Sequence, residues 1–270
     1  MKTIDLTELK HLQCNVLQIA HDYCVEQGLK YSLACGTLLG AIRHNGYIPW
    51  DDDIDIYMPR EDYDQLIQKF PSIYKNHYKL VSFERDKQWC RPYANLYDDR
   101  TIYKEHKSPI EKQIGVNIDI FPVDHVPDDE QEWIKYNRKR RHLILLHSAK
   151  YVALRLENRA LWKNIMLAIL KIFLLPIPNR LMVKFVDKYI RQYNGGPNAH
   201  RLFESCCGLL QKKPFNQEDF SDLLLHTFEN YEFYIMKGYD DYLTNGFGDY
   251  MTLPPVEKRV SHHYFKAYWK

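Results

Sequence analysis

The chain has 270 residues, 45% of them hydrophobic, and a formal net charge of +2. That length is long for one ordinary domain and short for two, so one core carrying an insertion or helical extension is expected. A charge balance this close to neutral argues against nucleic acid as the main partner.

In chain order, residues 5–27 read as a helix. Leu9, Leu12, Val16, Ile19, Ala20 and Tyr23 recur at helical spacing, Asp5 and Glu8 resemble a capping box, and Gly28 ends it. Tyr31 to Ala34 is a short strand, and Gly36 to Arg43 is a loop feeding a short helix. Ile54 to Met58 is a strand closed by Pro59, followed by an amphipathic helix from Glu61 to Phe70. Residues 78–83, 89–97 and 102–104 are β-rich, with a turn at Asp98-Asp99-Arg100. Gly115 to Phe121 alternates as a strand and Pro122 is expected to end it. Residues 129–155, 158–175 and 179–192 read as helices, Asn194-Gly195-Gly196-Pro197 breaks the run, and the tail 236–270 is mixed. The pattern is α+β, with a mixed β-sheet flanked by helices and a mainly helical second half.

Six cysteines occur (Cys14, Cys24, Cys35, Cys90, Cys206 and Cys207) with no C-x-x-C pair, and Met1 to Asp5 lacks the apolar run of a secretory signal. A reducing cytoplasm is the expected setting. Adjacent Cys206 and Cys207 read either as small buried hydrophobes or as metal ligands.

The most informative segment is Trp50-Asp51-Asp52-Asp53-Ile54-Asp55-Ile56. Its carboxylates repel one another unless a cation sits among them. A strand puts residues i and i+2 on one face, so Asp53 and Asp55 point together while Ile54 and Ile56 face the core. This pattern suits a hard divalent cation, with water and substrate phosphate completing the shell. An acidic surface loop or a Ca²⁺ loop are the alternatives, but the apolar alternation and Pro59 speak against the flexible loop that Ca²⁺ needs. Asp119, between Ile118 and Ile120, is a third carboxylate on a central strand. It would meet either the same cation or a buried Arg. Asp124, beyond Pro122, is a weaker candidate in a loop. Upstream, Gly36 and Thr37 at a helix start would present backbone N–H groups to a phosphate. Cradle, metal pair and third Asp make the kit for phosphoryl-type transfer.

These residues carry a resemblance. The stretches Gly36-Thr37-Leu38-Leu39-Gly40-Ala41-Ile42-Arg43-His44 and Ile48-Pro49-Trp50-Asp51-Asp52-Asp53-Ile54-Asp55-Ile56 resemble the signature of the LicD family. These are bacterial phosphorylcholine transferases related to the fukutin-type transferases. Ile118 to Asp124 and the tail Phe247 to Pro255, with Lys258, Arg259 and His262, agree with it. The resemblance implies a nucleotidyltransferase-like core over 1–127, a helical insertion over 128–235 facing membrane or acceptor, and a C-terminal segment 236–270 returning to the active site. It implies Mg²⁺ or Mn²⁺ on Asp53 and Asp55, with Asp119 as the third metal ligand or as the base for the acceptor hydroxyl. It implies a CDP-choline donor, with Gly36 and Thr37 toward its phosphates, and a sugar hydroxyl of a glycan or glycolipid precursor, of teichoic acid or lipopolysaccharide type, as acceptor.

Arg43, Lys258 and Arg259 are candidate phosphate clamps, His44 and His262 candidate proton or phosphate partners, and Trp50, Tyr57, Tyr93 and Tyr250 candidate choline-facing aromatics. Transfer of another polyol phosphate, transfer of a whole nucleotide, and a non-catalytic role in glycan assembly are the competing readings. Residues 138–142 are basic, and the apolar run 165–178 is too short to span a bilayer and carries Lys171. Peripheral contact with the inner face of the membrane through 138–178 is therefore expected beside the alternative of a buried core helix.

Overall fold

The structure, a computed structural model, describes residues 1–105, 113–152, 154, 160–207, 210–260 and 265–270. The elements in order are β1 (Thr3–Ile4), α1 (Leu6–Gln27), β2 (Ser32–Leu33), α2 (Cys35–His44), β3 (Asp55–Pro59), α3 (Arg60–Lys69), β4 (Tyr78–Val81), β5 (Ala94–Asp98), β6 (Thr101–Glu105) and β7 (Asn117–Val126). Then come α4 (Glu130–Tyr151), α5 (Leu161–Leu174), α6 (Asn179–Ile190), β8 (Arg201–Phe203), β9 (Phe215–Asn216), α7 (Gln217–Ser221), β10 (Leu223–Phe228), β11 (Tyr231–Met236), α8 (Tyr239–Phe247) and β12 (Phe265–Trp269).

Local chemistry explains the first long helix. The Asp5 side chain accepts from the Glu8 N–H at 2.8 Å, and Gly28 at φ 65° closes the other end with its N–H on Cys24 and Val25 carbonyls. The buried face of α1 lies on the central sheet, ordered β2-β3-β7-β5-β4, and β8 extends β7 at its far end. β3 and β7 are parallel and every other pairing in this sheet is antiparallel, so the sheet is mixed. The β10–β11 hairpin covers part of the same core through Phe228, Phe233 and Ile235. β12 joins β1 to β6 in a second small sheet.

Three sequence readings change. Pro122 does not end its strand, since β7 runs on to Val126. The Asp119 N–H donates to the Ile54 carbonyl, so odd-numbered residues of β7 bond β3 and Pro122 faces the other edge. Along that edge the pairing with β5 reaches only Ala94, opposite Ile120, and the pairing with β8 starts only at Phe203, opposite Asp124. The missing N–H falls in the gap between two partners and breaks no ladder bond. Asp124 is consequently on a strand and not in a loop. It is fully buried and gripped by Arg60, whose Nε and second guanidinium nitrogen each reach it at 2.7 Å, and by Asn194 at 2.7 Å.

Second, the β-rich stretch 89–97 yields a strand only from Ala94 to Asp98. Trp89 instead folds back and donates its indole N–H to the Tyr93 carbonyl. Third, the helical stretch expected to reach 235 stops at Ile190, and residues 201–236 carry β8 to β11 with the short α7. A turn at Glu229, with φ 56°, joins β10 and β11, whose aromatic and β-branched residues suit a hairpin. Residue 158, the expected start of the second long helix, lies outside the described residues.

Candidate active site

The acidic segment arrives where the sheet geometry is most constrained. Asp55 is the first residue of β3 and stands in register with Asp119 on the neighbouring parallel strand β7. Asp53 lies two residues before, on the extended approach to β3 rather than inside it. Burial holds the Asp55 carboxyl well above the usual carboxylate range, and the charges of Asp53, Asp119 and Asp51 push it the same way. Asp53, Asp119 and Asp51 thus lie near enough to Asp55 for their charges to act on it. Asp52 is buried, and its backbone carbonyl accepts from Gln13 at 3.0 Å.

Two asparagines hold Asp119. Asn117 donates to its Oδ1 at 3.0 Å, and Asn95, its register partner on β5, donates to the same oxygen. Sequence reasoning missed both. Asn95 had one signal, a polar residue in an apolar β run, but its partner is fixed only by strand register.

The start of α2 differs from a simple phosphate cradle. The Thr37 side chain is buried, and its hydroxyl accepts from the Asp55 N–H at 2.9 Å, which ties α2 to β3. Gly36 is required by a close approach, because a Cβ there would meet the Asp51 carboxylate at 2.5 Å. The Asp51 carboxylate therefore already sits against the positive end of α2. Beneath, Cys35 at φ 48° contacts the Tyr57 hydroxyl at 3.4 Å and receives the Tyr242 hydroxyl at 3.8 Å. Tyr57 is wholly buried in this contact, so it is a wall of the core and not an aromatic open to choline.

A basic rim comes from the tail. Arg43, on α2, donates to the Tyr250 carbonyl at 2.7 Å and to His44 Nδ1 at 3.4 Å. The Arg259 guanidinium lies 5.6 Å from the centre of the Trp50 ring and donates through Nε to the Pro254 carbonyl at 2.8 Å. His44 meets Trp50 edge-on at 6.4 Å. Burial and then the charge of Arg259 lower the Arg43 pKa, and burial followed by Arg43 lowers that of His44. The fold thus brings Arg43, His44, Trp50 and Arg259 together. Lys258 is exposed in a single turn, Val256–Lys258, and His262 lies outside the described residues.

The oxygen donors of Asp53, Asp55 and Asp119, with their mutual repulsion, fit a hard divalent cation in kind. Among the described residues, only Glu204, Cys206 and Cys207 bring three ligand atoms within 4.8 Å of one another. Cys206 is buried and donates to Glu204 at 2.9 Å.

Comparison with known proteins follows the same lines. The family described as LicD/FKTN/FKRP, nucleotidyltransferase domain, matches residues 28–148, which include every aspartate of the cluster. The chain is 34% identical over 273 residues to the lipopolysaccharide cholinephosphotransferase LicD of Haemophilus influenzae, covering 99% of each chain. It is 29% identical over 146 residues to an uncharacterized protein of Rickettsia prowazekii, covering 45% of this chain and 54% of that one. A Rickettsia typhi protein, also uncharacterized, is 28% identical over 159 residues, covering 50% of this chain and 51% of its own length. With similarity running through the helices and the returning tail as well as the core, the chain belongs to the LicD family.

Proposed function

We propose that this protein transfers phosphocholine from CDP-choline to a sugar hydroxyl of a cell-surface glycan precursor, of lipopolysaccharide or teichoic acid type, at the cytoplasmic face of the membrane. The observation that carries the reading is the pairing of Asp55 with Asp119 on adjacent parallel strands. Whole-length similarity to a lipopolysaccharide cholinephosphotransferase supports the choice of group and acceptor.

In this reading Asp53, Asp55 and Asp119 would hold Mg²⁺ or Mn²⁺, which would supply Lewis-acid neutralisation of the donor pyrophosphate. Arg43 and Arg259 bind the donor phosphates. A carboxylate of the cluster accepts the proton of the acceptor hydroxyl. That oxygen bonds to the phosphorus carrying choline, the bond from the same phosphorus to CMP breaks, and CMP leaves. Asn95 and Asn117 fix the orientation of Asp119 throughout. Trp50 faces the donor beside His44 and Arg259.

The test is CMP release by the purified protein from CDP-choline, with Mg²⁺ and a membrane glycolipid fraction, with and without EDTA. Release that needs both metal and acceptor is expected. Release from CDP-ribitol or CDP-glycerol alone would replace the donor group. Pyrophosphate as the product from a nucleoside triphosphate would replace group transfer by nucleotidyl transfer, and no release from any donor would favour the non-catalytic role.

A further inference from the structure

α5 is short, apolar and turned outward. Leu161, Trp162, Ile165, Met166, Ile169 and Phe173 form one stripe along the helix, and all are exposed, Leu161 at 76% and Phe173 at 75%. The opposite face, Leu167, Leu170 and Leu174, packs on Leu146, Ala149 and Met182 of α4 and α6. The apolar surface continues past the bend through Leu175, Leu181 and Phe185. A soluble surface seldom exposes so many large apolar side chains together.

Its fringe is basic throughout. From residue 160 to 186 the sequence has no Asp or Glu, while Lys163 and Lys184 are exposed at either end. Lys171, which interrupts the apolar run in sequence, does not interrupt the stripe. It points inward and donates to the Lys150 carbonyl at 3.0 Å, while Lys150 caps the Leu174 carbonyl at 2.9 Å. The basic run 138–142 contributes less uniformly than its sequence suggests, because Arg140 is buried against Ser205 and Asn137.

We propose that the α5–α6 elbow is a docking surface for a lipid bilayer bearing anionic headgroups, with α5 lying in the interface. Among the described residues no single helix is long and apolar enough to cross a membrane, and the axes of α5 and α6 differ by 94°. A 14-residue helix spans about 21 Å, short of a hydrocarbon core of about 30 Å. Trp162 and Lys163 at the start of the stripe are residues suited to the headgroup level. The basic fringe selects an anionic surface over a second copy of this chain, since an isologous pairing would set like charges face to face.

Cosedimentation of the whole purified chain with phosphatidylcholine vesicles, with and without phosphatidylglycerol, tests this without nucleotide or metal, so its outcome is separate from that of the transfer reading. The chain should pellet with anionic vesicles. Ile169→Asp with Phe173→Asp should lower that partition by about tenfold or more, because charged side chains are expelled from the interface. Both positions are exposed, and a circular-dichroism melt confirms that the variant is folded. Lys163→Glu with Lys184→Glu should weaken binding to anionic vesicles alone, as added salt does. Equal binding by the Asp variant and the parent would overturn the proposal, as would a parent that stays in the supernatant with every vesicle. A dimer in solution that the Asp variant dissociates, without vesicle binding, would assign the face to a second copy instead.

Discussion

Arg60→Met removes a guanidinium that is 3% exposed and leaves the Asp124 carboxylate, which is 0% exposed, without its cation. The lost contacts are two charge-assisted bonds of 2.7 Å to Asp124 and a third of 3.3 Å to Asp187. Asp187 keeps Arg191 at 2.8 Å, and Asp124 keeps only the neutral amide of Asn194 among its described side-chain donors, so the cost concentrates on Asp124. Breaking one side of a buried pair costs about 3–5 kcal/mol, because the remaining charge stays desolvated. In a chain of this size that corresponds to a fall in Tm of about 10 °C. Denaturant unfolding followed by circular dichroism measures it. Arg60→Met with Asp124→Leu should recover most of the loss, since apolar replacement of both partners is close to neutral. A single-variant cost below about 1 kcal/mol, or a double variant no better than the single, would refute the view that the pair carries an uncompensated desolvation cost.

Asp53→Asn and Asp55→Asn should each lower turnover by more than about 10²-fold with the fold intact by circular dichroism, and retained activity in both would sink the metal assignment. Arg259→Ala should raise KM for the donor more than it lowers kcat, as read from initial rates over a donor series. Gly40→Ala should destabilise by about 1–3 kcal/mol, because its Cβ would stand 2.4 Å from the Gly46 carbonyl oxygen, where neither backbone can yield freely. His21 has its pKa lowered, first by burial, with Asp22 acting the other way, and its Nδ1 lies 2.7 Å from the Tyr31 hydroxyl. Its contribution is therefore present above the ordinary histidine range and lost as pH falls through the depressed folded value, and His21→Asn should flatten that acid-side slope in unfolding experiments across pH.

What could be read from the sequence was what local rules decide. Asp5 and Gly28 cap α1 through contacts a few residues long, and Asp55 follows from the two-residue period of a strand. The misreading at Pro122 comes from register. Whether Pro122 ends a strand depends on where the pairing with β5 stops and the pairing with β8 starts, and neither is written near residue 122. Once the strand continues, Asp124 becomes a core residue and Arg60 its partner, 64 positions away. The support of Asp119 by Asn95 crosses strands in the same manner. The return of residues 250–259 to Arg43 and Trp50 had no local signal, and only the family resemblance suggested it.

The inner face of α6 settles a matter of distance. Val183 packs with Val81, Phe83 and Tyr97, while Val186 and Ile190 pack with Tyr93, Phe121 and Cys206. Phe121 is two residues from Asp119 on the same strand. The elbow is thus built on the same face of the sheet that carries Asp119, with no linker between. A protein seated on lipid by this elbow would hold its aspartates at one height above the bilayer, as a fixed gauge. An acceptor would then be chosen partly by how far its hydroxyl stands from its own anchor, a selection by length that needs no contact with the sugar.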